Sequence, residues 1–393
     1  MKTEIIAQLN KFRSKDKVAT IPHIVSERIQ RSVAAFHQSL PGYAPTPLAN
    51  LPNLASWLGI ENLWIKDEAL RLDLKAYKVL GASYAVARVL AQKLGLDGPS
   101  ITFTELLSQA SKFHDITFVT ATDGNHGRAV AWAAHELGCR AVVYMPQGSA
   151  EVRLEAVREL GADATTIDGN YDDAVRLAAK HARERGWILL QDSSWKGYEE
   201  IPIYIMQGYA TLLTEAFEQL GAQRPTHLFV QTGGGSLAAG LLAFLCHTLG
   251  EERPFFTVVE SMQADCYFRS ANTGNGRPVI VSGDLDTIMA GLACGEPSAI
   301  GWEILKTHAD AFAACSDEVT RRGMRLLGNP LNGDDRVISG ESGAVTAGLV
   351  FALRNNPKYK RMAQVLRLTN ASKVLLFSTE GDTDPENYRK MVW

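Results

Sequence analysis

The chain predicts an α/β protein built on mainly parallel sheets flanked by helices. Two observations carry that expectation: from residue 63 onward short apolar strands alternate with amphipathic or alanine-rich helices, and glycine-rich or polar turns stand where a strand hands over to a helix. Leu63-Trp64-Ile65-Lys66 reads as the first strand, and the alanine-rich stretch from Val79 to Leu94 as a helix. A regular series follows: strand 117–120, helix 127–137, strand 141–145, helix 150–160, strand 164–167, helix 171–185 and strand 187–191. These four strands with their crossover helices form a compact unit of their own. A second set begins at strand His227-Leu228-Phe229-Val230-Gln231, runs through helix 236–249 and strand 256–260, and closes on strand 374–377. The expected division is a discontinuous large domain, 1–86 with 222–393, and a small α/β domain, 87–221. The first 40 residues carry the least pattern, and no internal repeat or low-complexity linker is evident.

Composition narrows the function. At 393 residues, 46% hydrophobic and 21% charged, the chain can bury a sizeable core in two or three domains. A net charge of -3 leaves no electrostatic footprint for nucleic acid or an anionic membrane, so a small molecule is the expected partner. The start, Met1-Lys2-Thr3-Glu4-Ile5-Ile6, lacks the apolar core of a signal peptide, and the longest apolar run, Leu237 to Cys246, is far short of the ~20 residues that span a bilayer; the expected location is the cytoplasm. Five dispersed cysteines show no Cys-x-x-Cys or Cys/His pair at metal-ligand spacing, so no metal is expected, although Cys266 and Cys294 could pair under oxidising conditions.

Chemistry concentrates in three segments. Lys78 sits in Ala76-Tyr77-Lys78-Val79-Leu80-Gly81-Ala82, where apolar neighbours would desolvate an ammonium and lower its pKa, as a Schiff-base lysine requires. Gln231-Thr232-Gly233-Gly234-Gly235-Ser236-Leu237 stands between a strand and a helix, where glycines let the backbone approach an anion and free N–H groups point at it. The loop has neither a P-loop lysine nor the dinucleotide spacing G-x-G-x-x-G, which disfavours nucleotides. An amine able to form a Schiff base, together with a phosphate loop, points to pyridoxal phosphate, and one cofactor touching both would place the active site in the interdomain cleft.

The remaining polar motifs are Thr120-Ala121-Thr122-Asp123-Gly124-Asn125-His126-Gly127, at a strand end and helix start, and Gln191-Asp192-Ser193-Ser194-Trp195, with Asp192 ending the last strand of the first unit. Asp123 or Asn125 would equally suit plain helix capping, and Asp192 alone a turn. His126 is assigned no catalytic task.

Together these segments resemble the fold-type II pyridoxal phosphate enzymes, the group of threonine dehydratase, threonine synthase and the tryptophan synthase β chain. Thr46-Pro47-Leu48, Lys66-Asp67-Glu68, the lysine segment, the Asp-Gly-Asn-His loop and the glycine loop occur in that family's order. The likeness is narrower still to the diaminopropionate ammonia-lyase branch. It is carried by Ala121 to Arg128, Tyr144-Met145-Pro146, Asn170-Tyr171-Asp172-Asp173, Met289 to Pro297, Ile338 to Val345 and Ser378 to Asp384. The resemblance implies two open twisted sheets and a pyridoxal 5'-phosphate cofactor. Lys78 would carry the Schiff base, with Tyr77 against one ring face and Asn125 at the ring oxygen. Gly233, Gly234, Gly235 and Ser236 would hold the phosphate, and Ser378 or Thr379 would give the ring nitrogen a neutral partner. It further implies β-elimination from 2,3-diaminopropionate, yielding pyruvate and two ammonia, by a homodimer.

Asp123 departs from the hydroxyamino-acid dehydratases, which usually bear a small uncharged residue there. With Asp192 it gives two acids for the second ammonium of the substrate, and either could shuttle a proton. Lys75 also departs from the related pattern, where a small polar residue is expected. The competing readings are a serine or threonine dehydratase of the same fold and, from another class, a ligand-binding or NAD-dependent Rossmann protein whose lysine does no chemistry.

Overall fold

The computed structural model describes residues 3–14, 24–96, 100–122 and 124–393. Among them the strands are β1 Ile5–Leu9, β2 Leu48–Asn50, β3 Asn62–Asp67, β4 Thr117–Ala121, β5 Arg140–Met145, β6 Asp163–Thr166, β7 Ile188–Leu189, β8 His227–Gln231, β9 Phe255–Ser261, β10 Ala311–Cys315 and β11 Lys373–Ser378. The chain divides into two compact units, one of Met1–Pro22, Pro45–Leu70 and Leu212–Trp393, the other of His23–Ala44 and Arg71–Thr211.

The first unit holds a seven-stranded sheet in the order β1-β10-β9-β8-β11-β3-β2. The five inner strands run parallel, and the two edges are antiparallel, β1 on β10 and β2 on β3. Buried inner strands such as β8, with all five residues buried, are the expected form of a parallel sheet covered on both faces. Helix Ser236–Leu249 follows β8 and buries eleven residues from Ser236 to Cys246. The sheet also contains a charge node that apolar patterning hides. Lys66, fully buried, donates to the Thr46 carbonyl at 2.7 Å and to Gln219 Oε1 at 2.9 Å, and pairs with Glu215 at 2.6 Å. The Thr46 hydroxyl donates to Glu68 at 2.6 Å, so the Lys66-Asp67-Glu68 motif is largely anchored inside this unit.

The second unit carries the all-parallel sheet β6-β5-β4-β7. Helix Tyr171–Arg185 lies on it through Ala174, Ala178 and Ala182, small residues four apart that let the helix approach closely. Its ends are fixed by an Asn170/Asp173 capping box and by Gly186 at φ 69°. Helix Lys78–Lys93 meets helix Glu200–Gly208 at Gly81, where a Cβ would stand 2.6 Å from Tyr209 Cε1 and 2.8 Å from Ile205 Cγ2. That close fit draws residues 71–86 into this unit, on the other side of the boundary from the sequence expectation.

Candidate active site

The second unit presents a lysine–carboxylate pair at the C-terminal end of its sheet. Lys78 opens its helix, and its Nζ lies 2.7 Å from Asp192 Oδ2, with the two side chains only 13% and 11% exposed. Burial pushes the Asp192 carboxyl upward, but the Lys78 ammonium and then His126 outweigh it and hold it at about 2. Asp192 is therefore an anion at neutral pH. The chain just before Lys78 is strained, with positive φ at Leu72 (48°), Asp73 (56°) and Lys75 (53°), left-handed backbone that non-glycine residues adopt at a cost of ~1–3 kcal/mol each. Lys75 thus occupies a conformation that favours small residues. Tyr77 is half-buried, its ring 4.8 Å from that of Tyr209.

Asp192 is set in place from behind. The Gln191 backbone N–H donates to the Tyr198 hydroxyl at 2.8 Å, and that hydroxyl donates to the Leu189 carbonyl at 2.9 Å. The Gln191 side chain donates to Tyr171 at 2.7 Å and accepts from Thr120 at 3.0 Å. At the end of the adjoining strand β4, the Thr122 hydroxyl accepts the N–H groups of Gly124 (2.9 Å) and Gly127 (3.1 Å), so the helix start is capped by Thr122. Gly124, at φ 142°, makes the turn that a side chain would resist. Asn125 is half-buried and heads helix Asn125–Glu136. The His126 ring bonds the Leu190 carbonyl at 2.8 Å through Nε2. Asp123 lies outside the described residues.

The first unit presents a glycine loop at a helix N-terminus. The loop Gly233–Ser236 joins β8 to the N-terminus of a 14-residue helix, the end of a helix that favours negative charge. A Cβ on Gly233 would stand 2.6 Å from the Gly291 carbonyl and 3.0 Å from Leu292 Cα; Gly235 has φ 97°, and a Cβ there would run into the Tyr267 hydroxyl. Neither position takes a side chain, which leaves bare backbone facing any ligand. Beside it, on the neighbouring parallel strand β11, Ser378 is fully buried, and Thr379 accepts from Gln231 Nε2 at 2.9 Å. Ser378 stands in register with Asp67, and its hydroxyl donates to the Glu380 carbonyl at 3.4 Å; burial lifts the Asp67 carboxyl to about 6 against the Ala69 N–H and the nearby Ser378 hydroxyl. A nitrogen base facing Ser378 and Thr379 would thus meet hydroxyls.

Within each unit the sequence-chosen residues come together: Tyr77, Lys78, Asn125 and Asp192 in one; Gly233, Gly234, Gly235, Ser236, Ser378 and Thr379 in the other. These groups fit pyridoxal phosphate: a partly buried amine, a side-chain-free cradle at a helix N-terminus and neutral hydroxyls. Tyr198, Tyr209 and Tyr267 escaped sequence reasoning, because only folding brings them to these segments. No disulfide joins Cys266 and Cys294.

Comparison with known proteins agrees with the geometry. The model of the family described as pyridoxal-phosphate dependent enzyme matches residues 40–368. The diaminopropionate ammonia-lyase of Salmonella typhimurium strain LT2 is 48% identical over 392 residues, 98% of this chain and 97% of that protein. The crystal structure of holo diaminopropionate ammonia lyase from Escherichia coli superposes with a TM-score of 0.93 at 44% identity, covering 100% of this chain and 97% of that one. The same Escherichia coli enzyme in complex with D-serine gives a TM-score of 0.92 at 43% identity over 99% of this chain and 97% of that one. Among the described residues no helix is long and apolar enough to cross a membrane.

Proposed function

Because the chain belongs to the pyridoxal-phosphate dependent enzymes and, within them, to the diaminopropionate ammonia-lyase family, we infer that it eliminates ammonia from 2,3-diaminopropionate, giving pyruvate and a second ammonia. The observation that carries the reading in this chain's own residues is the 2.7 Å pair of Lys78 and Asp192. When bound, pyridoxal phosphate supplies an aldehyde on which amines exchange and a ring that spreads the charge left at Cα.

We assign the remaining work as follows. Lys78 Nζ would hold the cofactor and would take the Cα proton of one enantiomer. The Asp192 carboxylate, anionic at neutral pH, receives an ammonium of the substrate. Asp123 takes the proton from the opposite face, for the other enantiomer; that the Escherichia coli relative binds D-serine supports a site open to D-amino acids. Tyr77 would pack on the cofactor ring and Asn125 would contact its oxygen. Gly233, Gly234, Gly235 and Ser236 would hold the phosphate. Ser378 and Thr379 would offer the ring nitrogen hydroxyls in place of an acid, a setting that would favour elimination. The enzyme acts in the cytoplasm as a homodimer on a free amino acid.

The test is pyruvate release, coupled to lactate dehydrogenase, from each isomer of diaminopropionate with serine and threonine alongside. Diaminopropionate is expected to be turned over best; a preference for serine or threonine would make the enzyme a dehydratase. Lys78→Ala should lose nearly all turnover and the borohydride-reducible adduct while remaining folded.

A further inference from the structure

Behind the glycine loop stands a tyrosine that none of the roles above uses. Tyr267, in helix Cys266–Asn272, is fully buried. Its hydroxyl donates to the Gly234 carbonyl at 2.9 Å and accepts the Ser298 N–H at 3.0 Å. Its backbone N–H is held by the buried Glu260 carboxylate at 2.8 Å, and its ring packs against Trp302 at 6.2 Å between centroids. Burial holds the phenol well above its ordinary pKa, so the proton that reaches Gly234 is not lost near neutrality. The Met289–Pro297 segment closes the other side of the loop, the Gly291 carbonyl and Leu292 Cα lying where a Gly233 side chain would project. The Gly291 N–H is in turn tied to Ser342 Oγ at 3.1 Å.

A trans peptide carries its C=O and N–H on opposite sides, and no cis peptide occurs among the described residues. Fixing the Gly234 carbonyl therefore fixes the direction of the Gly235 N–H, away from Tyr267. Gly235 holds φ 97° as the residue before helix Ser236–Leu249, a backbone state with several alternatives unless something selects one. We propose that Tyr267 is a positioning residue for the phosphate site: its hydroxyl clamps the Gly234–Gly235 peptide so that the loop's N–H donors face the phosphate before the cofactor arrives. A prearranged loop loses less freedom on binding, so the clamp acts on cofactor affinity and not on the bond-breaking step. The inference rests on the reading of this loop as the phosphate site.

Tyr267→Phe tests it. The variant keeps the ring and removes both hydrogen bonds of the hydroxyl, leaving the Gly234 carbonyl and the Ser298 N–H without that partner, so the dissociation constant for pyridoxal phosphate should rise about five- to tenfold. The phosphorus-31 resonance of the bound cofactor should shift, and turnover at saturating cofactor should stay within about twofold of the parent. Tyr359→Phe, which trims a buried tyrosine of the Pro357–Tyr359 turn, should leave affinity and resonance as in the parent. A folded Tyr267→Phe protein with parent affinity and an unchanged resonance overturns the proposal. If that variant does not fold, backbone nitrogen-15 relaxation of Gly234 and Gly235 in the cofactor-free parent decides: order parameters as high as in the helix that follows support the clamp, and values of a flexible loop that rise only when cofactor is added overturn it. A parent protein that binds no pyridoxal phosphate would refute the underlying reading instead, while the relaxation measurement would still report on the clamp.

Discussion

Asp192→Asn separates the electrostatic role of this residue from its shape. The carboxyl lies 2.7 Å from Lys78 Nζ and is held at about 2 against an ordinary 3.8. At ~1.4 kcal/mol per pH unit, that depression contributes about 2.5 kcal/mol to the folded, cofactor-free protein. Because the folded value is the lower one, the contribution is complete above about pH 4 and is lost as pH falls through about 2. The amide removes it and leaves the half-buried Lys78 ammonium without its anion, so the loss at pH 7 should reach roughly 2–3 kcal/mol, below the 3–5 of a fully buried broken pair. Urea unfolding of the cofactor-free parent and variant at pH 7, 5 and 3 reads this directly. The gap should be steady between pH 7 and 5 and begin to close at pH 3. A gap absent at pH 7, or unchanged down to pH 3, would refute the electrostatic account of the pair.

Three further outcomes are expected. Gly233→Ala forces a methyl to within 2.6 Å of the Gly291 carbonyl; the backbone must shift, and overpacking of ~1–3 kcal/mol should appear as roughly tenfold or greater loss of cofactor affinity, read by fluorescence titration. Gly234→Val should weaken cofactor binding more than it slows the saturated enzyme, so that added pyridoxal phosphate partly restores turnover; unchanged affinity in the folded variant would move the phosphate site elsewhere. Asp123→Asn should suppress turnover of D-diaminopropionate by ~10²–10⁴-fold and of the L isomer far less, as measured by pyruvate release; equal, small losses would end its role as the second base.

Local signals carried the helices whose ends are chemically marked. Tyr171–Arg185 matches its expected bounds because Asn170, Asp173 and Gly186 punctuate it, and Ser236–Leu249 because glycines stop the strand before it. β10 escaped because Ala-Phe-Ala-Ala-Cys carries little β preference, its strand state being imposed by β9 and β1 on either side. β7 is shorter than expected, pairing only Ile188 and Leu189 before the chain turns to position Asp192. The glycine loop and Lys78 were legible because their chemistry is written in adjacent residues. The partnership of Lys78 with Asp192, 114 positions on, was not, since nothing local encodes a contact across that distance. Lys66 shows the same limit: its burial is tolerable only beside Glu215, which the sequence places far downstream.

The seven-stranded sheet has a bearing on the order in which this protein matures during synthesis. Its edge strand β1 pairs Ile5 with Cys315, and β3 pairs Asp67 with Ser378, so the earliest segments wait for partners translated some 300 residues later. The four-stranded sheet draws all its strands from residues 117–189 and is complete long before. Emerging chain therefore yields one finished unit while Leu63, Trp64 and Ile65, destined for full burial, remain without the strand that will cover their flank. Ribosome-stalled chains long enough for residue 211 to have left the exit tunnel should already protect the four-stranded unit from protease, whereas β3 should become protected only once residue 378 has left it.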